Sequence, residues 1–115
     1  MKPLTHGIKR IRISKLDPDN IAKIDFLFKE SDNRHSRTIE MKTYNEKSAD
    51  VIYAGDHIYE LHFTPEETEK FPNGQPYWID IRPVTKDGIA VPVKMLKDEN
   101  KDRKTLYTRG DIGDS

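Results

Sequence analysis

Apolar and polar residues alternate along most of this chain, most sharply on either side of one short interruption. Tyr59, Leu61 and Phe63 alternate with Glu60 and His62; further on, Tyr77, Ile79 and Ile81 alternate with Trp78, Asp80 and Arg82. A period of two with one polar face marks a half-buried strand. Between them, Thr64 stands as N-cap, Pro65 at the first helical position and Glu67 three residues after the cap. That spacing predicts a capping box, worth about 1 kcal/mol. Phe71-Pro72-Asn73-Gly74 stops the helix within one or two turns and leaves Phe71 to plug one end of the core.

The same period predicts strands elsewhere. Ile11 and Ile13 alternate with Arg10, Arg12 and Ser14, and Asp17-Pro18-Asp19-Asn20 is turn chemistry. Ile24, Phe26 and Phe28 then alternate with Asp25, Leu27 and Lys29. After a polar loop from Glu30 to Ser36, residues 37–43 place Ile39 and Met41 on one face and Thr38, Glu40 and Lys42 on the other. Val51 to Tyr53 is a short strand that turns through Ala54-Gly55-Asp56 into the Tyr59 strand. Lys86-Asp87-Gly88 is a second hairpin turn, and Ile89 to Met95 returns with Val91, Val93 and Met95 in alternation. Pro83 and Pro92 bracket that hairpin and put it at a sheet edge or on bulges, because proline donates nothing to a ladder.

About seven strands with turns every 8–12 residues predict an all-β fold: a single antiparallel sandwich, immunoglobulin-like in kind, with one short capped helix. Alternation does not reveal which strands pair, so the strand order stays open. The expected division is a sandwich domain over residues 1–96 and a polar tail over 97–115. The tail opens with the mixed-charge run KDENKDRK and carries Leu106, Tyr107 and Ile112. It is either a frayed terminus or an arm that orders on a neighbour.

Composition narrows the function. The chain has 115 residues, enough for one core, and its 34% hydrophobic and 35% charged content suits a thin two-layer fold. Twenty basic and twenty acidic residues cancel, so no electrostatic footprint for nucleic acid or an anionic membrane is expected. No apolar run approaches a membrane span or a signal peptide. Zero cysteines exclude disulfides, thiol catalysis and cysteine-type zinc sites.

Candidate chemistry is thin. His6 and His35 stand apart, and His57 and His62 are five apart on a strand pattern and face opposite ways, poor geometry for a shared metal. Asp17, Asp19 and Asn20 lack the glycine and distal glutamate of a calcium loop. Capping accounts for Glu66 and Glu67, and no raised-pKa environment can be inferred for Glu69. No nucleophile elbow, P-loop or Gly-rich nucleotide turn is present, and Arg109-Gly110-Asp111 is a short match within a tail rich in such residues. No catalytic, cofactor or metal site is expected. Tyr44, Tyr53, Tyr77, Trp78 and Tyr107 could supply a sugar-stacking or protein-contact surface, though most suit packing; Trp78, on the polar side of its strand, is the best candidate, and Leu106, Tyr107 and Ile112 are the candidate partner contacts of the tail.

One resemblance adds to this. Asp17 to Phe28 follows the pattern D-x-x-x-I-x-x-I-x-F-x-F; His57 to Phe63 runs into Thr64-Pro65-Glu66-Glu67-Thr68, then Gly74 and the strand Tyr77 to Arg82. Over residues 7–96 this is similar to small all-β structural proteins encoded by phages and prophages of Gram-positive bacteria. Pro65 and Asp80 stand where glutamine is common, and the charged tail is longer. The resemblance implies a non-enzymatic virion component in tail, neck or capsid surface, contacting other virion proteins and copies of itself. The motif residues carry fold, not catalysis. Beside it stands a carbohydrate or host-surface binding module using Trp78.

Overall fold

The computed structural model describes residues 7–71 and 74–98. Seven strands run β1 Gly7–Arg12, β2 Ile21–Lys29, β3 Thr38–Tyr44, β4 Val51–Gly55, β5 Ile58–Phe63, β6 Tyr77–Thr85 and β7 Leu96–Asp98. A 3-10 turn at Pro18–Asn20 precedes β2, and the helix α1, Pro65–Thr68, follows β5. One sheet has the order β1-β5-β4 and the other β3-β2-β6-β7, with every pairing antiparallel. The expected all-β two-sheet architecture is what the chain forms.

The core lies between the sheets. From one come Ile11, Val51, Tyr59, Leu61 and Phe63; from the other Ile24, Phe26, Phe28, Tyr77, Ile79 and Ile81. The period of two puts each set on one face. Phe71 plugs one end, with its ring 5.6 Å from Phe28, 5.8 Å from Phe63 and 4.9 Å from Tyr77, in edge-to-face contacts. At the other end Tyr44 and Tyr53 pack on Tyr59 at 5.2 and 5.0 Å. The Tyr59 hydroxyl is buried, and burial first, then Tyr44, Tyr53 and Asp17, push its pKa well above 10.0.

Local chemistry sets the connections. Thr64 Oγ1 accepts from the Glu67 amide at 3.2 Å, and the Glu67 carboxylate accepts from the Thr64 amide at 2.8 Å, closing the expected capping box. Between β4 and β5 the turn falls on Asp56 and His57, both at positive φ, one step beyond the Gly55-centred turn that the sequence suggests. The Tyr53 hydroxyl steadies it by accepting from the His57 amide at 3.0 Å, while His57 Nδ1 lies 3.1 Å from the Leu16 carbonyl. Gly88, at φ 84°, turns the chain after β6.

Three expectations need correcting. Residues 89–95 do not form a strand: they touch β6 through the Val84↔Ala90 bridge and a hydrogen bond from Val91 N–H to the Pro83 carbonyl, and the ladder resumes only at β7. Pro92 cannot donate there, and Val93 turns into the core instead. Second, the apolar pair of β3 does not share a fate, since Ile39 is buried but Met41 is 51% exposed, while Lys42 is 3% exposed beneath α1. Third, the polar side of β6 is not uniformly exposed: Asp80 is completely buried between a partly exposed Trp78 and an exposed Arg82. β7 itself, Leu96–Asp98, pairs with Tyr77–Ile79.

Candidate functional site

Two charged clusters flank the sandwich, each built on one buried ion. The first lies where the terminal strands β3 and β4 approach each other. Lys42 Nζ donates to Asp50 Oδ2 at 2.9 Å and to Glu67 Oε1 at 2.8 Å, and sits 5.0 Å from the centre of the Phe63 ring. Glu67 therefore uses one oxygen for both the helix cap and the ion pair. Burial alone would lower the Lys42 pKa, but the hydrogen bonds and charges of Glu67 and Asp50 outweigh it and raise it. Burial alone would raise the Glu67 pKa; hydrogen bonds from Lys42 and the Thr64 amide bring it below the ordinary value. A shallow cavity of about 270 Å³ opens beside the cluster, with Ile52, His62 and Phe63 among its walls.

The second cluster sits on the outward face of β6, toward the opposite edge. Arg82 donates to Asp80 Oδ2 through Nε at 3.0 Å and Nη2 at 2.7 Å. Arg34 brings Nη1 within 3.5 Å of Asp80 Oδ1 and donates through Nη2 to the Val93 carbonyl at 2.9 Å. Arg34 arrives from the β2–β3 loop. That loop is shaped by an Asx turn at Asn33, by the Glu30–Arg37 ion pair and by Lys29, which donates to the Ser36 carbonyl and Thr38 Oγ1. The loop thus carries a guanidinium across β2 onto β6. Asp25, opposite Arg82 in the ladder, accepts from Thr43 Oγ1 at 2.9 Å and lies 3.5 Å from Lys23 Nζ. Beside this cluster is a groove of about 420 Å³, with Lys23, Arg34 and Arg82 at its rim and Pro83, Val84 and Val91 among its walls.

Trp78 shares the outward face of β6 with Asp80, but it is only partly exposed, and Lys97 Nζ lies 5.6 Å from its ring centre. Its face is occupied by a cation. Tyr44, Tyr53 and Tyr77 belong to the core or its rim and do not gather on the surface. Leu106, Tyr107 and Ile112 lie outside the described residues, as do His6, Tyr107's tail segment 99–115 and Arg109-Gly110-Asp111. Among the described residues no three metal-ligating side chains converge.

Sequence reasoning did not single out Arg34, Arg82 or Lys42. The available signal was a charged residue inside an alternating strand, at Lys42 and Asp80; nothing in the sequence pointed to Arg34 as their long-range counterpart. Compared with known proteins, the chain matches no family model, no curated protein and no solved structure.

Proposed function

We propose that this chain is a non-enzymatic assembly protein, a structural component of a phage or prophage particle that meets its neighbours through an exposed sheet edge. The observation that carries this reading is β4. Among the described residues the sheets end in β1, β3, β4 and β7, and only β4, Val-Ile-Tyr-Ala-Gly, has no charged residue and no proline. Soluble proteins usually blunt an edge strand with lysine, proline or an inward charge, because its free N–H and C=O groups pair with any strand that arrives. Here Ile52 stands 45% exposed on that edge. Main-chain hydrogen bonds along β4, with Ile52 as the side-chain contact, are the expected mode of docking.

The strand order supports an immunoglobulin-like assignment. With β1, β4 and β5 read as B, D and E, and β2, β3, β6 and β7 as C, C′, F and G, the sheets become B-E-D facing C′-C-F-G. In that reading the first strand of the immunoglobulin order has no counterpart among the described residues.

The test is light scattering after size exclusion across a concentration series, on the full chain and on Ile52→Lys. The full chain self-associates or co-sediments with induced particles, and the variant stays folded but loses both. A full chain that is monomeric throughout and absent from particles would sink the proposal. A chain ending at Asp98, which keeps β7, tests separately whether residues 99–115 act as an arm.

A further inference from the structure

We propose that the groove beside Ile81 recognises an extended acidic segment of a partner protein, with Arg34 and Arg82 gripping its carboxylate. The site lies at the opposite edge of the sandwich from β4 and does not depend on the assembly role of that strand.

Three features meet there. The first is charge. Among the described residues Lys23, Arg34 and Arg82 pair with Asp25 and Asp80, three positive charges to two negative ones. Asp80 is fully buried while both guanidiniums are about half exposed, at 50% and 48%. The Asp80 carboxylate holds both arginines, the Val93 carbonyl holds Arg34 further, and both side chains line the groove; Asp80 is thus a positioning residue. Paired guanidiniums in fixed planes are the usual partner for a carboxylate.

The second is an open backbone edge. The ladder between β6 and β7 covers Tyr77 to Ile79 and is replaced at Pro83 by the hydrogen bond from Val91. Ile79 and Pro83 both direct their backbone polar groups to that side, and alternate residues of a strand do likewise, so Ile81 does too. Among the described residues, no backbone hydrogen bond joins residues 80–82 to 91–95. Ile81 lines the groove and offers one N–H and one C=O to an incoming strand.

The third is the apolar wall. Pro83, Val84, Ala90 and Val91 flank the opening. A bare inorganic anion would satisfy the arginines and leave this surface wet. A short strand that alternates apolar and acidic side chains fits the wall, the backbone edge and the charge together. The wall is held in place from outside the ladder: Lys15 Nζ donates to the Pro92 carbonyl at 3.2 Å, and Arg34 to that of Val93.

The experiment is a two-dimensional amide NMR titration of the full chain with the blocked peptide acetyl-Val-Glu-Val-Glu-Val-amide. Shifts should concentrate at Ile81, Val84, Ala90 and Val91 and at the Arg34 and Arg82 Nε–H signals. The Gln-for-Glu peptide should bind about tenfold more weakly, as should the Arg34→Gln/Arg82→Gln double variant against the original peptide. Arg82→Lys, which keeps the charge but not the fork, guards against loss of fold in the double variant and should also weaken binding. The proposal is overturned by an absence of shifts up to about 5 mM, by equal binding of the Gln peptide, or by equal shifts from inorganic phosphate.

Discussion

Lys42 and Asp80 occupy inverse positions in this sandwich. At one edge a buried cation is held between two partly exposed carboxylates; toward the other a buried anion is held between two half-exposed guanidiniums. In both, the central ion is outnumbered by its partners, so one rim carries spare negative charge and the other spare positive charge. The difference lies in what the partners hold. Glu67 belongs to the helix cap and Asp50 precedes β4, so the Lys42 cluster joins three elements that have little else in common. Arg34 and Arg82 line a groove with about half of each side chain exposed. The first cluster ties β3, α1 and the start of β4 together, whereas the second lies along a groove, and this marks the first as structural and the second as a site.

That contrast can be broken experimentally. The largest effect is expected for Lys42→Ala. Removing one partner of a buried pair costs about 3–5 kcal/mol, and the partial exposure of Asp50 and Glu67 reduces this to about 2–3. Lys42→Met retains the stem over Phe63 and should cost about 1 kcal/mol in urea unfolding. Next comes Asp80→Asn, at about 1–2 kcal/mol, because both guanidiniums can turn to water when the charge goes. If Asp80→Asn cost more than Lys42→Ala, the division into structural and functional clusters would fail.

Thr64→Ala should cost about 1 kcal/mol through loss of the cap. Combined with Lys42→Met the two losses should not add, because the Thr64 hydroxyl holds the Glu67 amide while Lys42 holds the carboxylate of the same residue; additivity within about 0.3 kcal/mol would show that cap and ion pair are independent.

The smallest effect is on pH dependence. The folded pKa of Glu67 lies below its ordinary 4.5, so its contribution is present above that value and fades as pH falls through the folded pKa. The folded pKa of Lys42 lies above 10.5, so its contribution is complete below that value and fades as pH rises through the folded one. Lys42→Met should therefore flatten the stability curve at both extremes. An unchanged acid limb would remove Glu67 from the account.

How much of this could be read from the chain varies by residue. The inward faces of β2, β5 and β6 were legible because those strands lie centrally in their sheets or carry unbroken aromatic and branched alternation. At the terminal strand β3 the same reading misled, because a sandwich edge has no fully closed inside. There a lysine can turn inward if carboxylates from other elements meet it, and Met41 can face solvent at little cost. The return strand after Gly88 failed for a comparable reason, since its alternation fits a ladder but Pro92 and the inward pull on Val93 take it off β6.

The sequence by itself determined what depends on neighbours within a few residues: the period of the strands, the Thr64–Glu67 cap, the turn at Gly88 and the aromatic plug at Phe71. These follow from backbone geometry and short-range hydrogen bonds. Tertiary structure alone decided which strands became edges, that Lys42 and Asp80 were buried, and that Arg34 reached Asp80 across β2. The reason is physical: the cost of burying an ion depends on charges brought from far along the chain, and alternation records only that a residue has two sides to choose from.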